Sequence, residues 1–429
     1  MNVIIIGAGT GGLCLAQGLH RAGINVAVYE RDRGPRDAML GYRVGIDADG
    51  KRALRANLSP ELYRTFLATC AERPLYGNQL TKDKKFLFTA GPDDQRPADR
   101  PSEQDQDESV SRMTLRQVLL EGLGDAVHFG KKFTHYEQHD SGQVTAHFAD
   151  GSSVTGDLLV GAEGANSPVR KQYLPNATVV ETGLIGITGK TPLDSEVWKL
   201  LPERMLRGVS MVHGEHGNMC IIHVMRFASD DLGYDHDDYV MWGFAAAKNW
   251  LPDTVLSLRG QACQQVVLDH TTDWHPDFRR IFALGDPDSC FPLSIRTSEP
   301  IPAWPSSNVT LIGDAIHTMT PGRGVGANTA LRDARLLTRT LARAANGETS
   351  LLDAVHEYET TMTGYAWDAV IKSRAQMDGD SIMHKAGVGG AVARAGMRTA
   401  MRVMNHLPPV KRKLAAAESS FRGENRDED

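Results

Sequence analysis

The segment Asn2-Val-Ile-Ile-Ile-Gly7-Ala-Gly9-Thr-Gly-Gly12 decides how the chain begins to fold. A short β-branched apolar run of this kind forms a strand buried on both faces, which points to a parallel sheet. Behind it Leu13, Ala16 and Leu19 recur at helical spacing up to Gly23, and residues 25–30, Asn-Val-Ala-Val-Tyr-Glu, read as a second apolar strand. Strand, turn, helix and strand make one βαβ unit. Within the turn, Gly7 permits a tight bend, Gly9 lets the backbone approach a pyrophosphate, and Gly12 lets the helix pack close to the strand. The free N–H groups of the helix N-terminus then face the anion. Glu30 ends the second strand, where a carboxylate can accept both ribose hydroxyl protons of an adenosine. This context favours a dinucleotide site over glycines that merely serve a tight turn.

The rest of the composition is ordinary. The 429 residues are 41% hydrophobic and 23% charged, which excludes a disordered, collagenous or disulfide-scaffold protein. At roughly 150 residues per domain the length suggests about three folding units, or two large α/β ones. Lys and Arg number 47 against 53 Asp and Glu, a net charge of −6, so no basic field attracts nucleic acid or anionic lipid. The five cysteines, Cys14, Cys70, Cys220, Cys263 and Cys290, form no CxxC pair and suit a reducing compartment. Residues 1–19 lack a basic leader and are interrupted by five glycines, which predicts neither a signal peptide nor a membrane span. The expectation is a soluble cytoplasmic protein.

Further along, residues 92–109 hold seven acids against Arg96 and Arg100 and read as a mobile surface loop. Helical period resumes at Thr114, and strands over 133–148 and 152–160 flank the turn Asp150-Gly151, returning the chain toward the first sheet. Residues 180–280 become β-rich, in segments such as 219–227 and 239–244, and form a second, mostly antiparallel domain. Residues 309–313 are another buried strand feeding a glycine-rich loop and a helix. Residues 351–407 are helical by period, and the tail from Lys411 reads as poorly ordered.

Two later motifs bear on which dinucleotide is bound. Residues 157–170, Asp-Leu-Leu-Val-Gly161-Ala-Glu163-Gly164-Ala-Asn-Ser167-Pro-Val-Arg170, run from a strand into a turn offering a carboxylate, a hydroxyl and a guanidinium. The segment Gly313-Asp314-Ala-Ile-His317 is followed by Pro321-Gly-Arg-Gly324-Val325-Gly326-Ala327-Asn328 and a helix. Such a loop can set Asp314 on polyol hydroxyls and aim bare backbone N–H groups at an electron-rich ring edge.

With these three motifs in this order over residues 1–345, the chain resembles the single-component (class A) FAD-dependent monooxygenases, the para-hydroxybenzoate hydroxylase-like and salicylate hydroxylase-like family. The resemblance implies an α/β fold: a Rossmann-like FAD-binding domain (1–75, 106–180 and 281–350), a mostly antiparallel β substrate domain (76–105 and 181–280), C-terminal helices (351–410) and a disordered tail (411–429). It implies that Gly7, Gly9, Gly12, Glu30 and Arg31 hold the adenosine and pyrophosphate end of FAD. Glu163 and Gly164 would touch FAD and the transient nicotinamide, although the family has Asp where this chain has Glu163. Gly313, Asp314, Pro321, Gly324, Val325, Gly326, Ala327 and Asn328 would hold the ribityl chain and flavin. Arg112 and Arg116, in Ser111-Arg-Met-Thr-Leu-Arg116, match family arginines that contact FAD, and Arg43 and Pro321 would flank the flavin.

The resemblance also implies the chemistry: NADPH or NADH reduces FAD, O2 forms a flavin C4a-hydroperoxide, and one oxygen passes to the substrate. No catalytic side chain is required, and His317 is expected to shape its loop. The other histidines show no metal-ligand spacing, so no metal is expected. Met225, Met241 and Phe244 are candidates for an apolar pocket, with a large aromatic or polycyclic metabolite of secondary metabolism as substrate. Hydroxylation is the expected reaction, with epoxidation, Baeyer-Villiger insertion or a dehydrogenase or oxidase activity as alternatives, in a monomer or homodimer. The C-terminal helices are expected to close the pocket, with Gly379, Gly387, Gly389 and Gly390 as hinges or as turns.

Overall fold

Residues Asn2–Ile6 form β1, Thr10–Arg21 α1 and Asn25–Tyr29 β2, with the strands parallel from Asn2 opposite Asn25 to Ile6 opposite Tyr29. This is a computed structural model that describes residues 1–429 except 36, 38–40, 95–101, 103–104, 229–232, 235–236, 378, 380, 382–383, 385–386 and 422–429, with backbone alone for 93 and 415–421. Around the βαβ unit stands a five-stranded parallel sheet. Its order is β18 (Val309–Leu311), β12 (Leu158–Gly161), β1, β2, β8 (Val127–His128). All four residues of β12 are buried, as expected of a strand covered on both faces. The helix α11 (Gly326–Ala345) packs on α1 and on α2 (Ala48–Asn57).

A second, seven-stranded sheet has the order β17 (Phe291–Ser298), β13 (Val179–Pro192), β16 (Tyr239–Ala247), β15 (Met219–Met225), β14 (Gly208–His213), β5 (Tyr76–Thr81), β6 (Phe86–Ala90). Every pairing is antiparallel except β14 with β5. One face is sealed by α6 (Ser195–Leu200), α7 (Glu203–Leu206), α8 (Gly260–Asp269) and α9 (Pro276–Ala283), over a core that includes Trp242, Phe244, Phe278 and Phe282. β17 corrects the sequence expectation, which put residues 281–350 in the first domain. A strand's own pattern does not mark which sheet it joins.

Two small sheets complete the fold. One is antiparallel β9 (Phe133–Gln138), β10 (Val144–Phe148) and β11 (Ser153–Gly156). The other is β3 (Arg43–Ile46), β7 (Glu108–Ser111) and β4 (Cys70–Ala71). The acidic segment read as a surface loop thus ends in a strand. Glu108 is buried there because Lys51 Nζ, at 3.2 Å, and Arg73 Nε, at 2.9 Å, neutralise it. Arg96, Asp99, Arg100 and Glu103 of that segment lie outside the described residues. Helices α3 (Pro60–Ala68), α4 (Arg112–Leu120), α5 (Pro168–Tyr173) and α10 (Asp314–His317) connect the sheets.

The chain ends in α12 (Leu351–Gln376), α13 (Val388–Asn405) and α14 (Pro408–Phe421). The tail read as disordered is therefore helical to Phe421, as Lys411-Arg-Lys-Leu-Ala-Ala-Ala-Glu favours; residues 422–429 lie outside the described ones. Met377 packs with Leu184, Ala245 and Ile295 of the second sheet, and a Cβ at Gly322 would lie 2.8 Å from it, so the end of α12 touches both domains. The hinge reading of the glycines is corrected. Gly389 and Gly390 lie inside α13, Gly387 caps it with φ +85°, and a Cβ at Gly379 would stand 2.3 Å from the Thr182 carbonyl oxygen. The five cysteines are free thiols, and among the described residues no helix is long and apolar enough to cross a membrane.

Candidate functional site

The β1 to α1 turn is shaped by missing side chains. Gly7 has φ +108°, and a Cβ there would sit 2.5 Å from the Ala162 carbonyl oxygen. A Cβ on Gly12 would lie 2.2 Å from the Gly7 oxygen, so the helix can start only against a bare backbone. Gly9, the N-cap, meets only Ala162 O at 4.0 Å and faces open space. No side chain caps α1 and no acid lies in its first turn, which leaves its leading N–H groups for an anion. Glu30 lies beside this turn: Oε2 accepts the Ala8 N–H at 2.7 Å and Oε1 the Asp32 N–H at 3.0 Å. It braces the turn while keeping lone pairs for hydroxyl donors.

Across the cleft lies the loop after β18. Gly313 has φ +59°, and its N–H donates to Asp333 Oδ2 at 2.8 Å. His317 and Asp333 are fully buried, with Nε2 and Oδ2 2.6 Å apart, and Tyr365 donates to Asp333 Oδ1 at 2.6 Å. Burial alone would lower the His317 pKa, but the charge and hydrogen bond of Asp333, with the charge of Asp314, raise it. Asp314 itself is open to solvent although set deep among protein atoms. Desolvation raises its carboxyl pKa against the pull of His317, Arg112 and Arg296. Arg112 is likewise solvent-open and deep, its pKa lowered by burial and supported by Asp314. An acid and a guanidinium exposed at the bottom of a cleft are the mark of a polar ligand cavity. Beyond them Gly324 turns with φ +67°, and α11 begins uncapped with no acid in its first turn.

The other expected residues divide. Gly164, with φ +75°, has open space where a Cβ would be; a Cβ on Gly326 would lie 4.0 Å from Asp314 Oδ1, and Pro321 opens the short helical turn that precedes Gly324. Arg43, on β3, reaches Ser109 Oγ with Nε at 3.1 Å. Arg116 is instead buried against Asp32, with both terminal nitrogens 3.4 Å from Oδ2, an acid not singled out from sequence. Arg31 is exposed beyond the turn. Two side chains turn away from the cofactor role. Glu163 accepts from Ser167 Oγ at 2.7 Å and Val169 N at 3.2 Å, closing its own turn, and burial pushes its pKa up to about 7. Asn328 accepts the Asp47 N–H at 3.1 Å and donates to the Gly45 oxygen at 2.9 Å, tying α11 to β3.

The face of the second sheet turned away from α6 to α9 meets Tyr42 and lies within reach of the Arg43 charge. Strand alternation puts Met241 and Met225 on that face with Tyr42 and Tyr239. Phe244, three residues from Met241, faces the opposite way into the helix-covered core, so its expected place in a pocket is corrected. Thr188, Val209, Met211, Ile221 and Gly243 lie on the Met241 side and are all half-buried. One residue that went unnoticed in the sequence is His223, paired with Met241 and Val209. The residue is 1% exposed and Nδ1 has no hydrogen-bond partner among the described residues; burial and then the Arg43 charge hold its pKa well below 6.5, which favours the neutral imidazole. Only the odd-numbered positions of β15 would have marked it.

The residues fit FAD: glycine turn and free helix N–H groups for a pyrophosphate, Glu30 for a ribose, Asp314 for a polyol, and a second uncapped helix beyond. Fold and cleft together define an FAD-binding oxidoreductase. Residues 5–67 match the model of the NAD(P)-binding Rossmann-like domain, and residues 292–373 that of the FAD binding domain. A solved structure of a Photorhabdus luminescens protein assigned as an FAD-containing monooxygenase superposes with a TM-score of 0.77 and 34% identity, covering 90% of this chain and 100% of that one. The chain therefore belongs to the FAD-dependent monooxygenase family. The dual O-methyltransferase/FAD-dependent monooxygenase elcB of Phaeosphaeria nodorum is 33% identical over 83% of this chain, which spans only 42% of that protein. An FAD-dependent urate hydroxylase of Klebsiella pneumoniae is 27% identical over 88% of this chain and 90% of its own.

Proposed function

We propose that the protein is a monooxygenase that takes electrons from NADPH or NADH, one oxygen atom from O2, and hydroxylates an aromatic or polycyclic small molecule bearing oxygen substituents. The observation that carries this is the half-buried face of Thr188, Val209, Met211, Ile221, Met241 and Gly243, which holds the buried His223 between Met241 and Val209, has Lys190 beside Met241, and lies within reach of the Arg43 charge. An apolar platform suits a flat ring, and a neutral imidazole next to a guanidinium suits an oxygen on that ring. The Klebsiella relative is named for urate, a flat ring with oxygen substituents.

Bound FAD supplies the redox chemistry, taking electrons from the nicotinamide and activating O2. The chain's own work is to bind, orient and exclude water. The α1 N-terminus and Arg112 would hold the pyrophosphate, Glu30 the adenosine ribose and Asp314 the ribityl hydroxyls. The uncapped start of α11, with Pro321 and Gly324 to Ala327, would offer N–H groups to the electron-rich edge of the flavin. The end of α12, through Met377, bridges the loop at Gly322 and the second sheet and shields the cleft from water.

The test uses the purified protein with its flavin, NADPH or NADH, a panel of phenols and polycyclic ketones, and isotopically heavy O2. The expected result is nicotinamide oxidation accelerated by a panel member, with one heavy oxygen atom in the product. Flavin reduction and reoxidation with no label in any product would overturn the proposal in favour of an oxidase.

A further inference from the structure

The small sheet of β9, β10 and β11 carries a side-chain cluster that the cofactor cleft does not use. His135 and Glu137 are two residues apart on β9, so both leave the same face, and His147 on β10 is the residue directly opposite His135. The two imidazoles stack with centroids 4.5 Å apart and planes within 6°. Glu137 reaches toward both: Oε1 lies 4.0 Å from His135 Nε2, and Oε2 3.6 Å from His147 Nε2. One nitrogen or oxygen from each residue falls within 4.8 Å of the other two.

The protonation pattern of the pair points the same way. Thr134 Oγ1 donates its single proton to the His147 carbonyl oxygen at 3.0 Å, and it also lies 3.1 Å from His135 Nδ1. The hydroxyl can then only accept from His135, which puts the ring proton on Nδ1 and leaves a lone pair on Nε2. Fixing the tautomer through the far nitrogen is how ligating histidines are held. His147 Nε2 is buried and has no hydrogen-bond partner among the described residues, an arrangement that costs free energy unless something binds there.

We propose that His135, Glu137 and His147 form a binding site for a divalent cation of the zinc class. Two imidazole nitrogens and one carboxylate oxygen are a donor set for Zn2+ and its neighbours rather than for Mg2+ or Ca2+, which take oxygen ligands. Metal-to-ligand lengths of about 2.1 Å put donors roughly 3.4 Å apart. The half-exposed side chains of His135 and Glu137, at 54% and 57%, have the rotamer freedom to close the present gaps. The bound ion cross-links β9 to β10 on the outside of the FAD-binding half of the molecule.

The experiment titrates the full-length, FAD-loaded, chelator-treated protein with ZnCl2 by calorimetry and follows thermal unfolding with and without the metal. One zinc per chain with a dissociation constant in the micromolar range, a higher unfolding temperature with zinc, and loss of both in a His135→Ala/His147→Ala double variant are expected. Mg2+ at the same concentration should do neither. Full flavin content in the double variant establishes that it is folded. Zinc binding of unchanged stoichiometry and affinity in that folded variant, or no zinc binding by the parent protein, overturns the proposal.

Discussion

The two loops that face each other across the cleft are held by opposite means. The β1 to α1 turn is fixed by atoms that are absent, since Gly7 and Gly12 let backbones meet where any Cβ would collide. The loop after β18 is fixed by charge, through Asp333 gripping the Gly313 N–H, His317 and Tyr365 in a fully dry place. The turn after β12 stands between the two systems, with Ala162 against Gly7 and Gly12 and with Ala165 tied to Ala315 through Arg170. From α5, Arg170 donates to the Ala315 carbonyl oxygen at 2.8 Å and to that of Ala165 at 2.9 Å. A turn made of glycines offers bare N–H groups to a passing anion, whereas a loop clamped from behind can hold one carboxylate, Asp314, forward in the cleft without losing its shape.

The largest effect follows from breaking the charged clamp. Asp333→Ala leaves the buried His317 and the half-buried Tyr365 without their acceptor and should cost about 3–5 kcal/mol, the range for removing one partner of a buried pair. Because His317 is held above its usual 6.5, its contribution is fully present below pH 6.5 and fades as pH rises through the raised value. Unfolding midpoints of parent and variant, measured with saturating FAD, should therefore differ most near pH 6 and less at high pH. A gap that stays constant with pH would mean that His317 is neutral throughout.

Next comes the turn. Gly12→Ala forces a Cβ to within 2.2 Å of the Gly7 oxygen, and neither backbone can yield while β1 stays paired with β12 and β2. A cost of about 2–3 kcal/mol and purification without flavin are expected. Full flavin content would show that the turn tolerates side chains and that the contrast between the loops is false. Arg170→Lys probes the link between them. The guanidinium reaches the two carbonyls from two separate terminal nitrogens, a spread that the single nitrogen of lysine does not reproduce, so about 1–2 kcal/mol should be lost, with FAD bound more weakly but not abolished, as read by flavin fluorescence on dilution.

The contrast also explains what could be read from the sequence. The glycine turn announces itself because its whole mechanism lies within six residues, from Gly7 to Gly12, and the same holds for the Gly313-Asp314 motif. The clamp behind that motif was invisible because its members, His317, Asp333 and Tyr365, are brought together only by the packing of α11 and α12. Met241 and Phe244 looked alike as apolar residues of one strand, yet an odd separation sends them to opposite faces, and no local signal says which face is covered by helices. His135, Glu137 and His147 escaped a search for metal-ligand spacing along the chain because the third donor arrives across a strand pair. Asn328 and Arg116 were read as ligand contacts from their motif positions, while the structure gives each an internal partner.

The smallest effect concerns Glu163, in the turn after β12. Its carboxyl is turned back on Ser167 and Val169, and burial pushes its pKa from 4.5 up to about 7 against those hydrogen bonds. Below pH 4.5 folded and unfolded chains both hold the proton, and the group contributes nothing to the slope. Between 4.5 and about 7 the folded chain keeps a proton that the unfolded chain has released, so stability falls as pH rises through that window. Glu163→Gln keeps a carbonyl oxygen for the Val169 N–H and removes the titration. Relative to the parent it should gain on the order of 1 kcal/mol between pH 4.5 and pH 8, read as a shift in denaturant midpoint. Parallel pH curves for the two proteins would place the Glu163 carboxylate, ionised, in the cleft beside Asp314 and Arg112 rather than in its own turn. The middle motif would then belong with the charged loop, not with the structural link between the two.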